Sequence, residues 1–186
     1  MAIKDIIHDT DAKMKKTVDS IKREFTEIRT GRASTALVEG VLVEYYGTKT
    51  PIKQLASIST PDARLVAIHP WDASTITEIE RAILQANLGL VPNNDGKIIR
   101  ISIPHLTDER RQELDKIVKR IAENGRVSLR TARRDANEHL KQLEKSKDIA
   151  EDDRFKSQDE VQKMIDKYTK QIDEVLEAKE KEITEG

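Results

Sequence analysis

Four cations, Lys119, Arg126, Arg130 and Arg133, are spaced so that one helix would carry them on one side. At ~100° per residue they fall within a sector of roughly 60° and span about four turns. Three of the four are arginine, whose planar fork of donors suits phosphate oxygens, whereas lysine acts as a hydrated point charge. The residues four before Arg130 and Arg134 are Arg126 and Arg130, so pairing along the helix by i,i+4 contacts is largely missing and like charges stack instead. Such a ridge is a candidate site for RNA phosphates. The competing reading is a solvated face, or one that pairs with an acidic neighbouring helix. Arg134 falls off the ridge and stands one turn before Glu138.

The surrounding chain must form the helix that positions these side chains. From about Thr107 to Lys147, Leu114, Ile117, Val118, Ile121, Leu129, Ala132, Ala136, Leu140 and Leu143 recur at helical spacing. This apolar stripe is centred ~130° from the ridge, which leaves the arginines outside the core. Thr107 reads as an N-cap, with Asp108 and Glu109 supplying negative charge in the first turn. A first helix carries Ile3, Ile7, Met14, Val18, Ile21, Phe25 and Ile28. A third carries Val161, Ile165, Tyr168, Ile172, Val175, Leu176 and Ile183. Its start is set near residue 150 by Glu151, Asp152 and Asp153, although Ser157 to Glu160 also fits a capping box. Three long amphipathic helices must pack together to bury their stripes.

Residues 31–104 read differently. Val41–Tyr46, Leu65–Ile68 and Ile98–Ile103 have strand character, Asn93–Gly96 is a turn, and Ser74 to Asn87 has helical spacing. The expected fold is therefore α+β. An elongated three-helix bundle (residues 1–30 and 105–186) carries a small α/β domain (31–104) inserted between its first and second helices. The chain crosses that boundary twice, at Thr30-Gly31 and at Pro104-His105-Leu106.

The formal net charge of -1 over 186 residues conceals a local separation. Residues 31–104 are neutral, 107–147 carry +4 and 148–186 carry -6. The absence of cysteine excludes disulfides and thiolate chemistry, and no apolar run approaches the roughly 18 residues of a membrane span. The stretch MAIKDIIHDTDAKMKK lacks the apolar segment of a secretory signal, so a soluble, cytoplasmic protein is expected. Histidines 8, 69, 105 and 139 have no metal-ligand spacing, and no phosphate loop or nucleophile motif is present. The reading is of a protein that catalyses nothing by itself and needs neither metal nor cofactor. Tyr45, Tyr46 and Trp71 could stack on bases, but alternation along a strand would send the two tyrosines to opposite faces.

Five blocks in order, IRTGRAS (28–34), VEYYGTKTPIKQLASIS (43–59), PHLTDERRQEL (104–114), RVSLRTARRDAN (126–137) and EDDRFKSQDEVQKMID (151–166), resemble the ribosome recycling factor family. The resemblance implies a three-helix bundle with a hinged smaller domain, a shape often compared with tRNA. It implies action on the post-termination ribosome with elongation factor G and GTP, the subunits separating so that mRNA and tRNA leave. The GTP would be hydrolysed by that partner. The bundle would lie against large-subunit ribosomal RNA as a monomer, away from any membrane. The motif matches place the RNA contacts on Arg111, Arg130 and Arg133, and also on Arg29, Arg32, Arg110 and Arg126. They place the hinge at Thr30, Gly31, Pro104, His105 and Leu106. Three positions depart from the family's usual pattern: Thr35 for proline, Gly125 for alanine and Ala132 for a larger aliphatic.

Overall fold

The computed structural model describes residues 2–185. The chain divides into two compact units, one ending at Thr30 and resuming at Thr107–Glu185, the other Gly31–Leu106. Residues 105 and 106 thus fall with the smaller unit, two residues beyond the boundary read from the sequence.

The larger unit is made of α1 (Ile3–Glu27), α3 (Asp108–Lys145) and α4 (Glu151–Glu185), where α2 is the helix of the smaller unit, Ile76–Gln85. The Thr107 side chain accepts from the Arg110 N–H at 3.1 Å, and Asp108 and Glu109 occupy the first turn of α3. Helix α3 ends at Lys145; just beyond it Lys147 adopts a left-handed φ of 62°, and the Asp148 N–H closes back on the Leu143 carbonyl at 2.9 Å. Helix α4 starts at Glu151 with three acidic residues in its first turn. Ser157 is buried inside α4 and caps nothing, which disposes of the later start.

In α1 the buried stripe is Ile6, Thr10, Met14, Val18, Ile21 and Phe25. The seven-residue repeat of Ile7, Met14, Ile21 and Ile28 drifts off this stripe at both ends, because 3.6 residues per turn is not 3.5. Ile6 takes the place expected of Ile7, and Thr10 satisfies its buried hydroxyl by donating to the Ile6 carbonyl at 2.6 Å. In α4 the buried Tyr168 donates its hydroxyl to Asp11 of α1 at 2.7 Å. Burial, then the Asp11 carboxylate, push its phenol up to about 12.

The smaller unit is antiparallel throughout. A hairpin of β1 (Leu42–Tyr45) and β2 (Thr48–Pro51) accompanies a four-stranded sheet of order β3-β4-β6-β5. Those strands are Ala56–Asp62, Leu65–Pro70, Ile99–Ser102 and Pro92–Asn94 in the order β3, β4, β6, β5. Ile68, Ile99 and Ile101 from the central strands pack into one core with Ile79 and Ile83 of α2. Strands β2, β3 and β5 were not anticipated from composition. Both β3 and β5 lie at sheet edges, where polar residues and proline are tolerated. Pro92 opens β5, and Pro61 sits at the register break of β3 between Ser59 and Asp62. The aromatic pair also departs from the strand reading. Tyr46 belongs to the hairpin turn, with φ of 47° followed by Gly47 at 79°, so strand alternation ends at Tyr45. Tyr46 is exposed, and its ring meets that of Tyr45 edge-on at 4.6 Å.

Candidate nucleic-acid interface

The residues of α3 that are fully buried are Leu114, Val118, Ala122, Gly125, Leu129, Ala136 and Leu140. Ile117, Ile121, Ala132 and Leu143, counted in the sequence stripe, are only half-buried. Removing them turns the centre of the stripe toward the arginines, so the ridge lies roughly 90° from the core direction. That smaller angle puts the ridge on the flank of α3 that faces α4.

Its side chains accordingly meet partners. Arg126, half-buried, reaches Asp173 of α4 through Nη2 at 2.6 Å and Nε at 3.2 Å, and approaches Glu123 at 3.4 Å. Asp173 first, and Glu123 after it, raise the guanidinium's affinity for its proton. Lys119 pairs with Asp115 at 2.7 Å and with Glu180 of α4 at 3.6 Å, and its ammonium is stabilised chiefly by Asp115. Arg130 reaches back seven residues to Glu123 at 2.8 Å. Arg133 donates to Gln162 of α4 at 3.1 Å, and Gln162 in turn donates to Asp166 at 2.9 Å. The expectation that Arg126, Arg130 and Arg133 all point away from the bundle is therefore corrected. Arg126 lies along the seam between α3 and α4, and the acidic helix answers part of the ridge.

What remains available is displaced around α3. Val127, Arg130, Thr131, Arg133, Arg134, Asn137, Glu138 and Lys141 line an open groove of about 480 Å³. Four cations face one carboxylate there. No ion pair forms between Arg134 and Glu138 among the described residues, and both line the groove. Val127 lies exposed in the midst of these charges. Arg134 and Lys141 lie outside the roughly 60° sector that holds the ridge. Widening it to roughly 100° on the solvent side would have gathered them.

The other site residues lie apart from this groove. Arg111, half-buried, approaches Asp108 at 3.5 Å near the start of α3, about 28 Å along the axis from Arg130. Arg110 pairs with Glu113 at 2.9 Å. Arg29 is exposed just past α1, and the exposed Arg32 belongs to the smaller unit. Thr30 and Gly31 are buried, whereas Pro104 and His105 are exposed. Exposed ion pairs of this kind hold their partners weakly, so incoming phosphate oxygens can replace the carboxylates on Arg130 and Lys119. Among the described residues, no group of three His, Cys, Asp or Glu is placed to hold a metal ion, and no helix is long and apolar enough to cross a membrane.

The family described as ribosome recycling factor matches residues 21–184. A ribosome-recycling factor of Desulfosudis oleivorans is 53% identical over 180 residues, covering 97% of both chains. The chain belongs to the ribosome recycling factor family. The ribosome-recycling factor of Nitratidesulfovibrio vulgaris is 51% identical over 183 residues, 98% of each chain. The solution structure of a ribosome recycling factor superposes with a TM-score of 0.79 at 43% identity, covering 100% of this chain and 99% of the other. A second structure describes the T. thermophilus ribosome recycling factor and E. coli elongation factor G bound to the E. coli post-termination complex. It matches with a TM-score of 0.65 at 38% identity over 98% and 99% of the two chains. In this ribosome recycling factor family member, the cationic groove is thus a feature of α3, the helix that carries the RVSLRTARRDAN block.

Proposed function

We propose that this chain recycles ribosomes after termination in the cytoplasm. It binds the post-termination ribosome through large-subunit RNA and, with elongation factor G and GTP, promotes subunit splitting and release of mRNA and tRNA. Family membership along nearly the whole chain supports the role, and the α3 groove is the observation that carries the binding mode. Arg130 and Arg133 contact backbone phosphates there, and Lys119 and Arg111 extend the track along α3. Arg29 of the larger unit and, separately, Arg32 of the smaller unit add phosphate contacts of their own, while Arg126 stays held by Asp173. Such contacts position a protein without reading sequence. The chain has no phosphate-loop motif of its own, so the GTP is the translocase's. The factor acts as a monomer, and the connections at Thr30-Gly31 and Pro104-Leu106 serve as the hinge through which the smaller unit moves.

Replacing Arg133 with alanine tests the groove directly. Its structural contact is one hydrogen bond to Gln162. The circular dichroism spectrum and melting should therefore stay nearly unchanged while binding to the large subunit weakens and its salt dependence flattens. Unchanged binding across a salt titration would remove Arg133 from the interface.

A further inference from the structure

The larger unit holds a buried lysine that the RNA-binding face does not use. Lys179 of α4 is 9% exposed. Its Nζ donates to the Ile28 carbonyl at 3.1 Å and lies 3.4 Å from Glu182 Oε2. The other oxygen of Glu182 accepts the Thr30 hydroxyl at 2.8 Å, and Thr30 is itself 3% exposed. A lysine serving only solvation would extend outward and keep its ammonium in water. This one is directed at the end of α1, where unpaired carbonyls carry partial negative charge. Helix α1 has no basic residue in its own last turn, so a cation from 151 residues further on takes that place.

We propose that Lys179 and Glu182 form a latch that fixes the chain as far as Thr30, making them positioning residues for the swivel of the smaller unit. The inference rests on the function proposed above. By Ala33 the chain is tied into the smaller unit, through a hydrogen bond from its N–H to the Ala63 carbonyl at 2.7 Å. On the return, Ile103 is tied to Arg64 at 2.7 Å and Thr107 caps α3. Between these backbone and cap anchors lie Gly31-Arg32 on the way out and Pro104-His105-Leu106 on the way back, two residues and three. At about 3.5 Å per residue the first reaches about 7 Å, and releasing Thr30 from Glu182 would add about 3.5 Å of slack. Force applied to the smaller unit would then take up slack before it reached the helices. With the latch closed, the turn begins at Gly31, whose φ of 76° suits glycine.

Glu182→Ala removes the acceptor for Thr30, whereas Glu182→Gln keeps an oxygen for that hydroxyl and loses only the charge. Three measurements apply to each full-length variant: ¹⁵N relaxation of the two units, ribosome affinity, and the single-turnover splitting rate at saturating factor with elongation factor G and GTP. In Glu182→Ala the smaller unit should tumble more independently and splitting should slow several-fold at nearly unchanged affinity. Glu182→Gln should restore both. Should Glu182→Ala fail to fold, Thr30→Val removes only the hydroxyl and is expected to loosen the smaller unit in the same relaxation measurement. Wild-type tumbling in the folded variant, Glu182→Gln behaving like Glu182→Ala, or affinity and splitting falling together would each overturn the latch. If the unaltered chain splits no ribosomes, the proposed function fails, and the relaxation measurement still decides the latch by itself.

Discussion

Glu123 has an unusual place among the charged residues of α3, because one carboxylate serves two arginines. It accepts from Arg130 at 2.8 Å and from Arg126 at 3.4 Å. The Arg130 guanidinium, followed by that of Arg126, holds its carboxyl below the ordinary carboxylate range. A depressed folded pKa means that this pairing is present above the usual carboxylate value and is lost as pH falls through the lowered one. Near neutrality, then, Glu123 competes with phosphate for both arginines. Glu123→Gln should leave melting almost unchanged, since the pairs are exposed, and should tighten binding to large-subunit RNA by a few-fold at most. Weaker binding would mean that Glu123 orients Arg130 for the ligand instead of competing for it. The sequence pointed to Arg130 and Arg133, but not to this partner, because a residue seven positions back lies beyond the usual i,i+4 reading.

At the scale of elements, the helices were legible and several strands were not. Long amphipathic stripes repeat often enough for their period to be unambiguous. Edge strands such as β5, PNN, have no apolar face to repeat and exist because β6 offers hydrogen bonds to them. Gly125 shows a related limit. As a helix-interior glycine it costs ~1 kcal/mol relative to alanine, which reads in isolation as a weakness of α3. In the structure a Cβ at this position would overlap Ile21 Cδ1 of α1 and lie 3.3 Å from Ile172 Cδ1 of α4. The glycine is where three helices approach one another. Gly125→Ala would gain ~1 kcal/mol of propensity against ~1–3 kcal/mol for overpacking. The α1–α3 groove of about 450 Å³, lined by Ile21 and Gly125, gives the isoleucine some room to shift. A net loss of ~1 kcal/mol is expected, lowering the melting point by about 3 °C. Adding Ile21→Val, which removes the overlapping methyl, should recover part of that loss. Additive destabilisation in the double variant would show that the two side chains do not meet.

At the scale of the whole molecule, two short connections join the units, and the proposed function requires them to transmit motion. Gly31 has a φ of 76°, which proline, fixed near -65°, is unable to adopt. Gly31→Pro should therefore redirect the chain leaving Thr30. Binding through α3 should persist, because the arginines of that helix are untouched, while splitting slows. Equal loss of binding and splitting would mean that the crossing is not a separate mechanical part. The salt dependence of binding belongs to this scale too. The net charge of -1 would suggest little attraction to RNA, yet the +4 over residues 107–147 is what a phosphate backbone would meet.

The sequence by itself determined the long helices, the inserted smaller unit, the family and the helix that bears the arginines. These follow from periodicity, composition and ordered motifs, all of which are local or nearly so. Tertiary structure alone decided which arginines remain open. Arg126 was drawn into the α3–α4 seam by Asp173, 47 residues away, and Arg133 found its partner in Gln162 of α4. It also decided that Lys179 meets the end of α1 and that Gly125 is a point of close approach. The physical reason is the same in each case. A helix period gives the direction of a side chain relative to its own axis, but the charge or methyl group that it meets belongs to another helix, placed there by packing.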